Sequence, residues 1–406
     1  MSTSAGVHFR KVGDGPESSL PDSSRQADPR PIVLIDARLV GEAGGGFTTY
    51  QTQLAAALSK GLSQLPWRPV FLVRESGILR LKRLGLLDLE YLETDLEFLS
   101  PRELVLIPQL LRKARARLWV STTFSSVISF LMPCPWLIAI HDLNHLKWGG
   151  FTQKLYYRNI LRPFARRARR VLTVSDFSRR ELTGWLKLPR DAIALARNAV
   201  DEAGVAEFSE NEILGGLRQV GLEKERYFFL LTNPKPHKNS DLLIRAWREW
   251  ADWEVERGND PIPLAVSFPA PLDGAVKGVK YLGGLRSRDA AILMKSAHTL
   301  VFPSLYEGFG LPPVEAIANG TPVCVSGIPP HREGMEKVDP ACIRWVTEPG
   351  SQAAWVAALD ELARKPLKRP DHAESKRLLS RYTQAQLGES WIAEITQALT
   401  SKPALR

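Results

Sequence analysis

The stretch from Thr299 to Pro330, TLVFPSLYEGFGLPPVEAIANGTPVCVSGIPP, constrains the fold of this chain more than any other. Thr299 to Phe302 is an apolar, β-branched run that stops at Pro303, the pattern of a buried strand. Gly308 and Gly310 lie in the turn that follows, where a missing Cβ lets backbone come close to a ligand. Pro312 and Pro313 suit a first helical turn, whose amide hydrogens have no intrahelical partner anyway, and Gly320 ends the helix. Another strand comes next. A chain built this way belongs to the α/β class.

Two carboxylates, Glu307 and Glu315, stand in an E-x7-E spacing, one in the turn and one inside the helix. Amides at a helix N-terminus favour phosphate, by roughly 0.3–1 kcal/mol per charge at an exposed end. Two carboxylates aimed at the same anion would repel it. They are better used to accept hydrogen bonds from sugar hydroxyls, as an acidic residue reads a ribose in dinucleotide sites. Physics alone leaves open a plain βα loop with one surface and one capping glutamate.

The segment PSLYEGFGLPPVEAIANGTPV resembles the signature of the retaining, nucleotide-sugar-dependent glycosyltransferases of family 4. The resemblance implies the GT-B architecture, two Rossmann-like domains facing each other across a cleft. It implies that Glu315 holds the ribose and Glu307 contacts the donor sugar. The turn amides of Gly308, Phe309, Gly310 and Leu311 would take the diphosphate.

The 406 residues are too many for one ordinary core and suggest two domains. With 44% apolar and 24% charged residues the chain reads as soluble and globular. Its formal charge of +10 suits nucleic acid, an anionic membrane surface or phosphorylated substrates, without choosing among them. Cys134, Cys324 and Cys342 lie in apolar surroundings without metal-ligand spacing, as buried thiols of a reducing compartment do. The longest apolar stretch, Val127 to Ile140, is broken by Pro133 and Pro135 and is too short to span a bilayer. Residues 1–30 carry no signal-peptide core and read as a disordered tail. A cytosolic address is expected, with peripheral contact at the inner membrane face.

The expected layout is an acceptor domain over residues 31–205, a linker over 206–222, a nucleotide-sugar donor domain over 223–383, and a helix over 384–406 that crosses back. The first domain opens with the strand IVLID and the glycine run Gly44-Gly45-Gly46 before a helix, the start of a Rossmann-like unit. By resemblance Gly45 and Gly46 approach the donor phosphates or the acceptor. The strand near Trp136–Ile140 ends in His141-Asp142-Leu143-Asn144-His145, where ligands of open α/β sheets gather. A histidine after a strand is often structural. The resemblance turns His141 toward the donor sugar, with Asp142 and His145 weaker candidates.

A basic segment follows, with Arg158, Arg162, Arg166, Arg169 and Arg170 at helical steps and Leu161, Phe164, Ala165 and Ala168 on another face. Pro163 should kink or restart this helix. The arginines form either a solvated face or a contact with anionic lipid headgroups, worth about 1 kcal/mol each at the surface. Ser175 and Ser178 are alternative caps for the helix that begins near Asp176.

In the second domain, Asn239 or Ser240 should cap a helix carrying Leu243, Ala246 and Trp247. Lys238 just before it adds a point charge where a diphosphate is already favoured. By resemblance Lys238 neutralises the diphosphate, but Asn233 stands where the family usually has an arginine, which leaves the two-cation clamp in doubt, with Lys235 or His237 as partial substitutes. Backbone near Leu285, after the Gly283-Gly284 pair, would contact the nucleotide base. Past the opening stretch a helix near Ala353–Lys365, a basic loop and a final helix near Ala385–Leu399 are expected.

The implied reaction moves a sugar, mannose in the favoured reading, from a nucleotide diphosphate donor to a glycan or lipid-linked hydroxyl with retention. A GDP-sugar is favoured as co-substrate over a UDP-sugar, and no cofactor is needed. The chain contains no Asp-x-Asp pair, so no bridging metal is expected. An epimerase or phosphorylase on the same architecture is the rival reading. A basic nucleic-acid binder is the remote one, disfavoured because no recognition motif or clustered aromatic platform occurs.

Overall fold

The computed structural model describes residues 9–14, 28–42, 45–200, 205, 207–272 and 274–401. The chain divides into two α/β units. One runs to Ala199 and resumes at Gln384, and the other spans Val200–Thr383.

The first unit holds β1 (Arg10–Lys11), β2 (Ile32–Asp36), β3 (Arg68–Val73), β4 (Glu90–Glu93), β5 (Leu118–Ser121), β6 (Trp136–Ala139), β7 (Arg170–Thr173) and β8 (Ile193–Leu195). Their order is β1-β4-β3-β2-β5-β6-β7-β8. Every pairing is parallel except β1 with β4. Runs such as IVLI and FLV are apolar without alternation, as strands buried on both faces require. The strand order reverses between β2 and β5, where a doubly wound sheet opens a crevice at its carboxyl edge.

One expectation needs correction here. Residues 9–14 do not belong to a disordered tail: β1 pairs with β4, Val12 is fully buried, and the Arg68 guanidinium lies 5.2 Å from the Phe9 ring centroid. Most of the remaining tail, and Gly44, lie outside the described residues. The basic segment winds as a π-helical turn over Tyr157–Leu161 before an α-helix restarts at Arg162–Arg167, with Pro163 in its first turn. Ser175, not Ser178, caps the helix Asp176–Leu186 by accepting from the Ser178 amide at 3.0 Å.

The second unit contains β9 (Phe228–Leu230), β10 (Leu264–Val266), β11 (Val279–Tyr281), β12 (Thr299–Phe302), β13 (Val323–Ser326) and β14 (Ile343–Val346). These run parallel in the order β11-β10-β9-β12-β13-β14, with the switch between β9 and β12. Most of the expected linker is a helix, Glu210–Val220, because Ser209 and Glu212 form a capping box and Gly221 ends it at φ 63°. The expected basic loop contains a helix, His372–Leu379, capped by Asp371 accepting from the Glu374 amide at 2.8 Å. Asn239 does not cap the helix Ser240–Glu256; at φ 57° its side chain instead donates to the Pro349 carbonyl at 2.8 Å.

The final helix, Gln384–Thr400, completes the first unit by packing on the helix Gly46–Ser59. A Cβ at Gly388 would come within 3.0 Å of the Ala57 Cβ, so glycine lets the two helices approach closely here. Trp391 Nε1 donates to the Tyr50 hydroxyl at 2.8 Å, and Trp67 Nε1 donates to Thr396 Oγ1 at 3.0 Å.

Candidate active site

At the switch point of the second sheet the loops after β9 and β12 are stitched together by the Leu305 amide donating to the His237 carbonyl at 2.8 Å. The first loop tightens into a single turn, Pro236–Lys238, that aims Lys238 at the second. Lys238 Nζ donates to Glu307 Oε1 at 2.6 Å, with the two side chains 19% and 11% exposed. Burial opposes the Glu307 charge. The Lys238 ammonium, its hydrogen bond and the lesser pulls of His331 and Ser304 together outweigh burial, and the carboxyl is held below its ordinary range. Lys238 also sits 5.7 Å from the centre of the Phe302 ring.

The turn then passes through buried Gly308 and Phe309 to Gly310, which begins the helix Leu311–Ala318 at φ 88°. A Cβ at Gly310 would lie 2.6 Å from His331 Cδ2 and 2.8 Å from its Nε2, so glycine is required on two counts. Pro312 and Pro313 carry no amide hydrogen, so the backbone donors at this helix start end at Leu311. Glu315 is half-buried one turn further on.

Sequence reasoning passed over His331, which sits in the short helix Pro329–Gly334 after β13. It is 1% exposed; Nδ1–H donates to the Ser326 carbonyl at 2.9 Å, and Nε2 has no partner. Burial lowers the pKa of this imidazole to about 4, so it is neutral. The signal that could have found it is the one that found His141, a histidine just past the carboxyl end of a parallel strand.

Thus Lys238, Glu307 and Gly310 come together at one switch point. Asn233 and Lys235 are exposed in the loop that carries Lys238, and His237 is buried with its carbonyl in the stitch between loops. Leu285 is half-buried beyond β11, after Gly283 at φ 69°.

The first unit has its own group at the carboxyl ends of β2, β5 and β6, beside its switch point. His141 follows β6, is buried, and donates from Nε2 to the Thr122 carbonyl at 3.2 Å. Burial lowers its pKa to about 4, and the rings of Tyr50 and Phe47 meet it edge-on at 4.5 and 4.9 Å. Phe47 lies one residue past Gly46, where open space surrounds both Gly45 and Gly46. His145 Nδ1 is hydrogen-bonded to the Tyr157 hydroxyl at 3.0 Å. Asp142 turns back to accept from the Asn144 amide at 2.8 Å.

Under these residues lies a buried ionic knot that the sequence reading missed. Arg38, fully buried, clamps Asp36 through Nε and a terminal nitrogen at 2.8 and 2.7 Å and reaches Glu103 at 2.8 Å. Ser125 Oγ joins Arg38 to Glu103 at 3.0 and 2.9 Å. Gln51 ties the Leu39 amide to Thr122 Oγ1, so the loops after β2 and β5 are fixed relative to each other.

Of the five candidate membrane arginines, Arg169 and Arg170 are committed elsewhere. Arg169 donates to the Ala398 and Ser401 carbonyls, and Arg170 pairs with Glu394 at 2.6 Å. Arg162 is half-buried, while Arg158, Arg166 and Arg167 are exposed.

Comparison with known proteins brings both units under related descriptions. Residues 274–378 match the family "Glycosyl transferases group 1" and residues 48–203 match "Glycosyltransferase Family 4". The O-antigen chain mannosyltransferase RfbU of Salmonella typhimurium is 27% identical over 56% of this chain and 61% of its own length. The O-antigen chain mannosyltransferase B of Escherichia coli is 31% identical over 40% of this chain and 44% of its own length. The chain thus spans about half the length of these curated relatives. Among solved structures, Anabaena HepE in complex with UDP and glucose superposes with a TM-score of 0.68 at 15% identity, covering 90% of this chain and 100% of that one.

Proposed function

This chain belongs to the group 1 glycosyl transferases of glycosyltransferase family 4, and from that premise we propose that it transfers a hexose, mannose in the favoured reading, from a nucleotide diphosphate sugar to a hydroxyl acceptor during cell-surface polysaccharide or glycolipid synthesis. The observation that carries the reading is the Lys238–Glu307 pair at the carboxyl ends of the two strands flanking the second sheet's switch point.

In the proposed reaction the bond from the anomeric carbon to the diphosphate breaks, and its electron pair leaves with the diphosphate oxygen. The acceptor oxygen bonds the same face of that carbon, and its proton passes to the departing phosphate. Lys238 and the amides of Gly308 to Leu311 stabilise the charge that grows on the leaving group. Glu307 accepts from donor-sugar hydroxyls and Glu315 from the ribose. His141 is the first domain's own candidate for a sugar, Gly45 and Gly46 its candidates for phosphates or the acceptor, and Leu285 is the second domain's candidate for the base. Asn233 supplies no second cation. We favour a GDP-sugar; the UDP bound by HepE keeps a UDP-sugar as the rival.

Thermal-shift titration with GDP, UDP, ADP and their sugars tests this, because a ligand at a hundred times its Kd stabilises the folded state by about 2.7 kcal/mol. Stabilisation by none of them would end the reading. Incubation with donor alone, followed by a search for epimerised sugar, separates transfer from epimerisation.

We also propose that the acceptor is met at an anionic membrane surface. No Asp or Glu stands between Asp142 and Asp176, while Lys154, Arg158, Arg166 and Arg167 lie in that interval. Phe151 in the same interval is 80% exposed, and Phe130 elsewhere in the unit is 82% exposed. A basic segment with an exposed aromatic side chain suits an interface rather than bulk water. No described helix is long and apolar enough to cross a membrane. Vesicles rich in acidic lipid should sediment the protein at low salt and release it at high salt; failure to sediment it would remove this part of the proposal.

A further inference from the structure

Three charged or chargeable side chains crowd the turn after β12, and the roles given so far use only two of them. Lys238 and His331 lie against the same aromatic ring, with the Phe302 centroid 5.7 Å from Lys238 Nζ and 5.4 Å from the His331 centroid. His331 and Glu307 share the Cα face of Gly310: a Cβ there would meet His331 Nε2 at 2.8 Å and Glu307 Cγ at 3.8 Å. The tautomer is fixed because Nδ1–H is spent on the Ser326 carbonyl. Nε2 is therefore a buried, bare acceptor with no partner. Such an atom is costly to leave unpaired.

The charges acting on His331 come from two elements. Glu307, in the turn after β12, favours a proton on the ring, and Lys238, in the turn after β9, disfavours it. Arg332 of its own helix turns away, donating to the Gly327 carbonyl at 3.0 Å and stacking 4.8 Å from the Trp345 ring. Tyr382 and Phe309, which border the turn, bring no charge. While Lys238 holds Glu307, the buried site contains one cation and one anion and the imidazole has no reason to charge.

A diphosphate that takes Lys238 disturbs that balance. Glu307 loses its counter-charge in a poorly solvated place, and the repulsion of His331 by Lys238 is neutralised by the phosphates. Both changes favour a proton on Nε2. We propose that His331 is a positioning residue of the donor site: when a nucleotide sugar draws Lys238 away from Glu307, His331 Nε2 takes a proton from solvent, and the imidazolium replaces the ammonium as the cation that keeps Glu307 ionised and facing the sugar. The proton returns to solvent when the diphosphate leaves and Lys238 goes back. This inference rests on the donor-site reading above and adds a proton to it.

Isothermal titration of the full chain with GDP-mannose and with UDP-glucose, in buffers of different ionisation enthalpy at pH 6, 7 and 8, reads the proton directly. Both phosphates of these ligands are esterified, so the ligand brings no titrating phosphate. For the sugar that binds, wild type should take up close to one proton at pH 6 and fewer by pH 8. Its affinity should weaken by up to about tenfold per pH unit across the range. His331→Asn, which keeps a donor toward the Ser326 carbonyl but cannot titrate, should take up none and bind with a flat pH profile. His331→Gln is the second variant, should His331→Asn fold poorly. Binding by wild type without proton uptake, or equal uptake in wild type and variant, would overturn the role of His331 while leaving the donor site standing. Absence of binding to either nucleotide sugar would sink the donor-site reading itself.

Discussion

Lys238 and Glu307 are unequal partners, and the difference decides what each substitution does. Glu307 is the more buried of the two, so Lys238→Ala strands a carboxylate in a poorly solvated turn and should cost roughly 2–3 kcal/mol in urea unfolding. Glu307→Ala leaves a lysine that reaches water and should cost less, while transfer falls by about two to three orders of magnitude. Near-normal turnover in Glu307→Ala, with its unfolding midpoint unchanged, would remove that residue from the chemistry. The histidines make a separate prediction. His141 and His331 titrate near 4 in the folded chain, well below an unfolded histidine, so folding favours their neutral forms. That stability is fully present above about pH 6.5 and is lost as pH falls toward 4, by on the order of 3 kcal/mol for each imidazole. Urea midpoints measured from pH 7 to pH 4 should fall accordingly, and His141→Asn should flatten the part of the slope that belongs to the first domain.

At the level of elements, the turn–helix Pro303–Ala318 was readable because each step in it has one physical solution: proline ends the strand, glycine makes the turn, proline starts the helix. The alternation of apolar strands and helices made the two parallel sheets readable in the same way. What stayed hidden depends on neighbours far away in sequence. Arg38 follows a strand in sequence with nothing nearby to mark it, and only the return of the chain through Glu103 and Ser125 makes it a buried clamp. His331 was hidden because its importance comes from Gly310, more than a whole βα unit's turn away, on the adjacent strand's loop. The capping box Ser209–Glu212 was legible in principle and was outweighed by the expectation of a linker. Arg169 and Arg170 fitted a lipid-facing stripe by spacing, but the final helix is their partner. The Arg38 knot supports a prediction at this scale. Arg38→Met leaves Asp36 and Glu103 buried without their cation and should cost about 3–5 kcal/mol in the first domain. A loss under 1 kcal/mol would mean that the loops after β2 and β5 are held by Gln51 and Thr122 instead.

For the whole molecule, the decisive feature is that the first domain is discontinuous, closed by Gln384–Thr400 after the chain has built the second. Removing residues 384–406 uncovers Ala57 and leaves the Tyr50 hydroxyl without its Trp391 donor. The truncated chain should lose its first-domain transition at a lower temperature, and a nucleotide sugar should still raise the melting of the second. Calorimetry with and without ligand separates the two transitions. The same discontinuity bears on how the protein is made. Domains usually mature in the order in which the ribosome delivers them. Here the amino-terminal sheet leaves the ribosome first and must wait, one helix short, while residues 200–383 are translated and fold as a finished unit. During that interval the surface destined for Trp391 and Ile395 is open to whatever binds nascent apolar surface. Until residues 384–400 emerge, that apolar surface has no covering helix from its own chain.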